Sequence, residues 1–274
     1  MFRRLCLITI VVLTGFVANA QNTTRLSPLL DALQLNAIFA VMQEEGVAYG
    51  NDLDREMLNN AGGKKWQKAV DAIYEPDRIW DTFLTRFSTE LEHEEIDAMV
   101  AFFGSALGQR IVSLEISARR EMLDKAVEEA SLETLRNMRR GGHPRLAMLK
   151  AFIAANDLVE YNVMGAMNSN YAFYIGMIDG RAFDYELSES DVLEDIWSQE
   201  AEIRTDTEEW LYSYLALAYE PLSDEELQAY IDFSRTKAGR VLNVAIFAGF
   251  DDVFTNVSKA LGLTTAQFLQ GEEL

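Results

Sequence analysis

Residues 94–112 have the sequence EEIDAMVAFFGSALGQRIV, and a closely similar stretch, EELQAYIDFSRTKAGRVL, occurs 131 residues later at 225–242. In each stretch, apolar residues recur at the three- and four-residue spacing of a helix face until a small hydroxyl residue, Ser105 or Thr236, is reached. Serine and threonine are good N-cap residues, so each of them starts a new helix. Each stretch therefore predicts a helix, a sharp turn and a second helix.

The similarity between the two halves extends beyond these stretches. At the same offset Trp66 falls on Trp197, and Leu91 falls on Leu222. Agreement of a rare residue type at an unchanged offset indicates an internal duplication.

A linker separates the two copies. The sequence GGHP at 141–144 combines two flexible residues with a helix breaker, and the chain has no strand-like alternation of apolar and polar residues. We therefore predict an all-α protein of two tandem helical-bundle repeats, at 25–140 and 145–270. Each repeat is expected to have about five helices, with a long helix after each motif.

A glycine follows each cap by three residues, Gly108 in the first copy and Gly239 in the second. Glycine is unfavourable inside a helix, so its presence there indicates that another backbone passes too close for a Cβ atom. An anion site at the exposed N–H groups of the helix start is the alternative, with Arg110 and Arg240 nearby, although these two arginines are not at equivalent positions.

These positions carry a resemblance to a known family. They are Phe102, Ser105, Gly108, Phe233, Thr236 and Gly239. Both copies resemble the bacterial domain of unknown function numbered 2059 over about forty residues each, although Ala106 and Lys237 stand where that family often has proline. The resemblance implies an exported, all-helical domain and brings no catalytic residues with it.

The first twenty residues have the pattern of a secretory signal peptide. A pair of arginines precedes an apolar run at 5–17, and Ala-Asn-Ala at 18–20 is a small-x-small cleavage site. The apolar run is shorter than the roughly 20 residues that a membrane-spanning helix needs, and a retained N-terminal anchor is the alternative. We expect a periplasmic or secreted protein with no transmembrane segment after cleavage. The only cysteine, Cys6, would be removed with the peptide.

Composition narrows the range of partners. The chain of 274 residues has 44 acidic and 24 basic residues, and its formal net charge is −20. Such a charge is repelled by nucleic acid backbones and by anionic lipid surfaces, so neither is an expected partner.

The sequence offers little catalytic or metal-binding chemistry. The two histidines are His93 and His143. Glu90 and His93 have the Glu-x-x-His spacing of di-iron bundles, but such a site needs a second copy, and Asp224 stands at the equivalent position. The acidic clusters lack the spacing of a calcium loop and are interpreted as solvated helix faces. We predict no catalytic residue, no metal and no cofactor, and hence a non-enzymatic protein.

A methionine- and tyrosine-rich stretch in the second half is the best candidate for a ligand site. Met164, Met167, Tyr171 and Tyr174 are of the types that line adaptable apolar pockets, although such residues are more often part of a core. Two functions remain open: action through contacts with a protein partner, which we rank first, and carriage of a small apolar ligand. An enzyme that uses acidic residues ranks last.

Overall fold

The fold is described from a computed structural model. The residues it describes are 25–91, 94, 96–183 and 187–271. The predicted signal peptide at 1–20 and His93 lie outside them. Within the described residues a short helical stretch at 25–32 is followed by twelve helices, and there is no strand. The prediction of an all-α protein is confirmed.

The helices are numbered in chain order. They are α1 (Leu35–Met57), α2 (Gly63–Ile73), α3 (Pro76–Glu90), α4 (Asp97–Phe103), α5 (Ala106–Glu121), α6 (Lys125–Gly141), α7 (Arg145–Ala155), α8 (Leu158–Asp179), α9 (Glu189–Ser198), α10 (Glu200–Ala218), α11 (Asp224–Arg235) and α12 (Lys237–Leu269).

Several helices begin where the local sequence places a cap. Pro76 occupies the first turn of α3, where its missing N–H is not needed, and the Glu75 carboxylate accepts a 2.9 Å hydrogen bond from the Arg78 N–H. The sequence Ser-Asp-Glu-Glu at 223–226 predicts a capping box, and Ser223 and Glu226 form one at the start of α11. The Ser223 hydroxyl accepts from the Glu226 N–H at 3.2 Å, and the Glu226 carboxylate accepts from the Ser223 N–H at 2.8 Å.

Glycine is common just after the end of a helix, so the sequence predicts that the first helix ends at Gly46, and this prediction is wrong. Helix α1 continues through Gly46 and Gly50. A Cβ atom at Gly46 would lie 2.5 Å from Cζ of Tyr74, and one at Gly50 would lie 2.7 Å from Cγ1 of Val70. Both glycines therefore let neighbouring side chains pack directly on the α1 backbone.

Two long helical stretches that the sequence predicts are each divided into two helices. Residues 106–139 contain no proline and predict a long helix that can kink or break part-way; the break lies at 122–124, where Asp124 caps the start of α6 through its side chain. The helix expected over 146–170 is interrupted before α8, where Asp157 has a φ of 50°. Aspartate tolerates this left-handed conformation better than most residues.

Helix α12 is the longest helix, and it packs most extensively against α8 and α3. Glycines bring α8 and α12 close together. A Cβ atom at Gly176 would lie 2.7 Å from the Leu263 nitrogen, and one at Gly262 would lie 2.9 Å from the Phe173 carbonyl carbon. The two backbones are therefore in direct contact at this crossing.

The two larger hydrophobic cores combine residues from both halves of the chain. One core joins apolar side chains of 26–112 to five side chains of α12. A second core joins Ile111 and Ala118 of α5 to residues of α7, α10 and α11. The helical segment that follows each corner thus packs against the other half of the chain. In the second half this segment is α12, which contacts α3, and in the first half it is α5 with α6, which contact α10. The division into repeats at 25–140 and 145–270 stays a prediction.

The helix pairs α4–α5, joined at Ser105, and α11–α12, joined at Thr236, are called the first and second corner. The two corners have nearly the same geometry. Ser105 has φ −71° and ψ 162°, and Thr236 has φ −68° and ψ 165°. Their hydroxyl oxygens accept hydrogen bonds from the N–H groups of Gly108 and Gly239, at 3.1 and 3.0 Å. Each hydroxyl also donates to the carbonyl three residues earlier, at 2.6 Å in both corners.

The close backbone approach expected at the two glycines is present. A Cβ atom at Gly108 would lie 2.6 Å from the Cα of Phe103, and one at Gly239 would lie 2.8 Å from the Cα of Ser234. These Cβ atoms would lie closer still to the carbonyl oxygens of Phe102 and Phe233. These glycines therefore let the second helix of the corner start against the end of the first.

Equivalent positions of the two corners meet. The rings of Phe102 and Phe233 stack with their centroids 4.1 Å apart and an interplanar angle of 11°. The tryptophans that match at the same offset do not share a role. Trp66 is 1% exposed and donates its ring N–H to the Gly50 carbonyl at 2.7 Å, whereas Trp197 is 61% exposed.

Two ion pairs also cross between the corners. Arg110 of α5 pairs with Glu226 at the start of α11, at 2.6 Å, and Lys237 at the start of α12 pairs with Glu94, at 2.7 Å. Exposed pairs of this kind contribute little stability. Their arrangement nevertheless links the second helix of each corner to the start of the other corner.

Candidate functional site

The two methionines of the predicted apolar pocket lie in different surroundings. Met167 is buried in a small third core with Val163, Val192 and Ile196, between α8 and α9. Met164, on the same helix, is 47% exposed. The alternative kept for these residues, a role in the core, therefore describes Met167.

The two tyrosines of that predicted pocket turn their hydroxyl groups towards α9. Tyr171 donates a hydrogen bond to the carboxylate of Glu189, and Tyr174 donates one to Asp195 at 3.1 Å. Tyr174 borders a surface groove of about 320 Å³ between α1, α8 and α12, and Tyr171 borders a different groove. The four predicted side chains are thus divided among a core, the solvent and two grooves.

A cavity that the sequence did not predict lies between the two halves of the chain. Its volume is about 180 Å³, and most of its lining is apolar. Both corners contribute to it, through α4 and α5 from the first and α11 and α12 from the second. The lining residues are Leu33, Leu35, Ile38, Val41, Phe103, Val112, Glu115, Ile116, Arg119, Tyr214, Tyr230, Ile246 and Phe250. We call this the central cavity.

One wall of the central cavity is polar. The carboxylate of Glu115 accepts a hydrogen bond from the Tyr219 hydroxyl at 2.5 Å, and it is also hydrogen-bonded to the side chain of Tyr230. The Tyr214 hydroxyl donates to the main-chain carbonyl of Glu115 at 3.0 Å. Three tyrosines from α10, the turn after it and α11 therefore surround one glutamate of α5.

The surroundings of Glu115 change its acidity. Burial raises the pKa of this carboxyl group to about 7, although the hydrogen bonds from Tyr219 and Tyr230 act in the opposite direction. Burial, together with the nearby Glu115 charge, raises the pKa of both tyrosines well above the ordinary value. The tyrosines thus remain hydrogen-bond donors while Glu115 changes charge near neutral pH.

An ion pair lies between the central cavity and the groove that contains Tyr174. Arg119, which borders the central cavity, makes two hydrogen bonds to Glu45, at 2.6 and 2.8 Å. Glu45 borders the groove. Because the pair is bidentate and partly buried, it fixes the position of Arg119 more firmly than a single exposed contact would.

One feature of the sequence indicates this site. Ile111, Glu115 and Ala118 follow helical spacing, so Glu115 lies on the same side of α5 as two buried residues. A charged residue on an apolar face needs a partner or a function. Its tyrosine partners are about a hundred residues away in sequence, and no local pattern identifies them.

No metal centre is evident in the part of the chain that the structure describes. There, no group of three or more His, Cys, Asp or Glu side chains comes together as metal ligands would. Among the same residues no single helix is both long and apolar enough to cross a membrane. Helices α4 and α5 reach that length and composition only as a pair, across a bend of 72°.

Comparison with known proteins identifies one family. Residues 77–136 match a family described as an uncharacterized protein conserved in bacteria, DUF2059. The match covers most of α3, all of α4 and α5, and most of α6. It includes the first corner together with Glu115 and Arg119. No curated protein and no solved structure matches the chain.

Proposed function

We propose that this is an exported, non-enzymatic helical protein that binds a small, largely apolar ligand in the central cavity. The observation that carries the proposal is an apolar cavity of about 180 Å³ formed by helices from both halves, with the half-buried carboxyl group of Glu115 in its wall. A dry apolar cavity of roughly 150 Å³ is large enough to bind benzene in another protein. We therefore propose the central cavity as the ligand site, in place of the methionine- and tyrosine-rich stretch at 164–174.

Action through a protein partner is the second candidate. The observation that favours it is an exposed apolar pair on α9, Leu193 and Trp197, which are 41% and 61% exposed and lie one helical turn apart. Tryptophan is enriched at the energetically important positions of interfaces. Two exposed side chains are weaker support than an apolar cavity with thirteen lining residues, so we rank this candidate after ligand binding.

We further propose that the chain contains two copies of the DUF2059-like unit. The equal geometry of the two corners, the stacking of Phe102 on Phe233 and the reciprocal packing of the long helices support this proposal. Equivalent substitutions in the two corners should then have equal effects. The alanine variants of Gly108 and Gly239 provide that test.

Export gives the first testable prediction. When the full chain is expressed in a bacterial host, we expect it in the periplasm or medium, with Gln21 as its first residue. A cleavable signal has a short apolar run and small residues before the cleavage point. Cell fractionation and mass spectrometry of the intact protein measure this. Val12→Asp, which puts a charge in the apolar run, should keep the protein in the cytoplasm; cytoplasmic wild-type protein with residues 1–20 intact would contradict export.

The central cavity gives the second prediction. Saturation with a small uncharged probe, 1-hexanol, should raise the midpoint of thermal unfolding of the protein. At ten times its Kd a ligand adds about 1.4 kcal/mol, which is roughly 3–5 °C for a chain of this size. In Ile116→Trp the larger ring fills the cavity, and the increase should disappear.

The matched control for this experiment is Leu123→Trp. Leu123 is exposed in the break between α5 and α6 and does not border the central cavity. This variant should keep the full response to 1-hexanol. An unchanged response in Ile116→Trp, with helix content by circular dichroism equal to that of the wild type, would rule out the central cavity as the site.

A further inference from the structure

We propose that the ligand of the central cavity carries a protonated amine on a short apolar body, and that this amine pairs with the carboxylate of Glu115. The inference rests on the proposed function and adds the chemical class of the ligand. It depends on the position of one carboxyl group, on the partners of the neighbouring arginine and on the size of the cavity.

The carboxylate of Glu115 has room for another donor. An ionised carboxylate offers about four acceptor positions. Within the described residues, the side chains that hydrogen-bond to it are Tyr219 and Tyr230. Both are neutral donors. A ligand that brings N–H groups to this wall can therefore add hydrogen bonds without displacing the tyrosines.

No basic side chain in the described part of the chain pairs with Glu115. Arg119 lies one helical turn further along α5, but its guanidinium group is held by both carboxylate oxygens of Glu45. In the described part of the chain, no ion pair involves Glu115. Glu115 is half-buried and has hydrogen-bond donors but no opposite charge beside it, so a cationic ligand gains an ion pair that the protein itself does not supply.

The other titratable groups near Glu115 add no net charge to this wall of the cavity. They are Tyr214 and Tyr219 from α10 and the turn after it, Tyr230 from α11, Arg119 from α5 and Glu45 from α1. Burial keeps the tyrosines protonated at neutral pH, and Arg119 and Glu45 neutralise each other. The net charge of the wall therefore follows the ionisation of Glu115.

The cavity also limits the size and polarity of the ligand. Apart from Glu115, Arg119 and the two tyrosines, its lining consists of leucine, isoleucine, valine and phenylalanine side chains. A volume of about 180 Å³ suits an apolar group of about six carbon atoms, since a cavity of roughly 150 Å³ holds benzene. A straight six-carbon chain with a terminal amine is a matching probe.

The experiment compares hexylamine, 1-hexanol and hexanoate by isothermal titration at pH 8, where Glu115 is ionised and hexylamine is protonated. Hexylamine should bind about tenfold or more tightly than 1-hexanol, because a charge-assisted contact is stronger than a neutral one. Hexanoate should bind most weakly, because the two carboxylates repel each other. At pH 6, where Glu115 is protonated, the preference for hexylamine should shrink.

Two variants complete the test. Glu115→Gln removes the charge while its side-chain oxygen can still accept a hydrogen bond from Tyr219, so hexylamine should lose its preference over 1-hexanol. Glu121→Gln, an exposed position on the same helix, should behave like the wild type. If 1-hexanol binds and hexylamine has no advantage that depends on Glu115, the amine inference is wrong and the cavity remains a ligand site. If none of the three probes binds, the proposed function fails as well.

Discussion

Replacing Gly239 by alanine is expected to lower the free energy of unfolding by about 3 kcal/mol, and Gly108→Ala should lower it by a similar amount. At both positions the new Cβ atom would meet backbone atoms of the preceding helix, within 2.6 Å of Phe103 at Gly108 and within 2.8 Å of Ser234 at Gly239. A side chain could rotate away, but the backbone at a capped corner cannot do so without breaking the cap.

Gly141→Ala is the matched control for these variants. Gly141 is the last residue of α6, and a Cβ atom there would meet nothing within 4 Å. Alanine favours a helix more than glycine does, so we expect no loss and a gain of up to about 1 kcal/mol. Urea unfolding of the three variants gives the comparison. Losses below about 1 kcal/mol in the corner variants would contradict the close packing, and strongly unequal losses would contradict the proposed duplication.

Replacing Glu115 by glutamine should change how stability depends on pH. The pKa of Glu115 is raised by burial from 4.5 to about 7, so between these values the folded state holds the proton more tightly than the unfolded state. The stability that this protonation contributes is present below about pH 4.5 and is lost as pH rises to about 7. The loss is at most about 3 kcal/mol. Glutamine has no such titration.

The measurement is urea unfolding of the wild type and Glu115→Gln at pH 5 and pH 8. The free energy of unfolding of the variant, minus that of the wild type, should increase by up to about 3 kcal/mol from pH 5 to pH 8. Taking this difference cancels the contribution of the other acidic residues. Glu121→Gln, on the exposed part of α5, should show no such increase. A difference for Glu115→Gln that is independent of pH would show that folding does not raise the pKa of this carboxyl group.

The features predicted correctly from the sequence depend on neighbours within a few residues. The capping box at Ser223 and the caps at Ser105 and Thr236 are examples, because an N-cap side chain binds an N–H only two or three positions away. The prediction for Gly46 failed for the opposite reason. Whether a glycine ends a helix or accommodates a neighbour depends, at this position, on Tyr74, which packs on it from the next helical segment.

The candidate site could not be predicted in the same way. Glu115 is one of many acidic residues, and its role becomes visible only when α10 and α11 bring Tyr219 and Tyr230 to it. Likewise, the fact that Arg119 pairs with Glu45 instead of Glu115 depends on how α1 packs against α5. Met167 is predicted as a pocket residue because methionine suits a ligand pocket. Its neighbours in α9 make it part of a core instead.

The reciprocal packing of the long helices determines when the chain can fold during its synthesis. The core around Phe83 and Phe87 of α3 includes Leu242 and Leu261 of α12, so this core is complete only after α12 has left the ribosome. Until then, the N-terminal half has apolar surfaces without their final neighbours. For the export proposed above this delay is favourable, because a stable early fold would obstruct passage of the chain through a translocation channel.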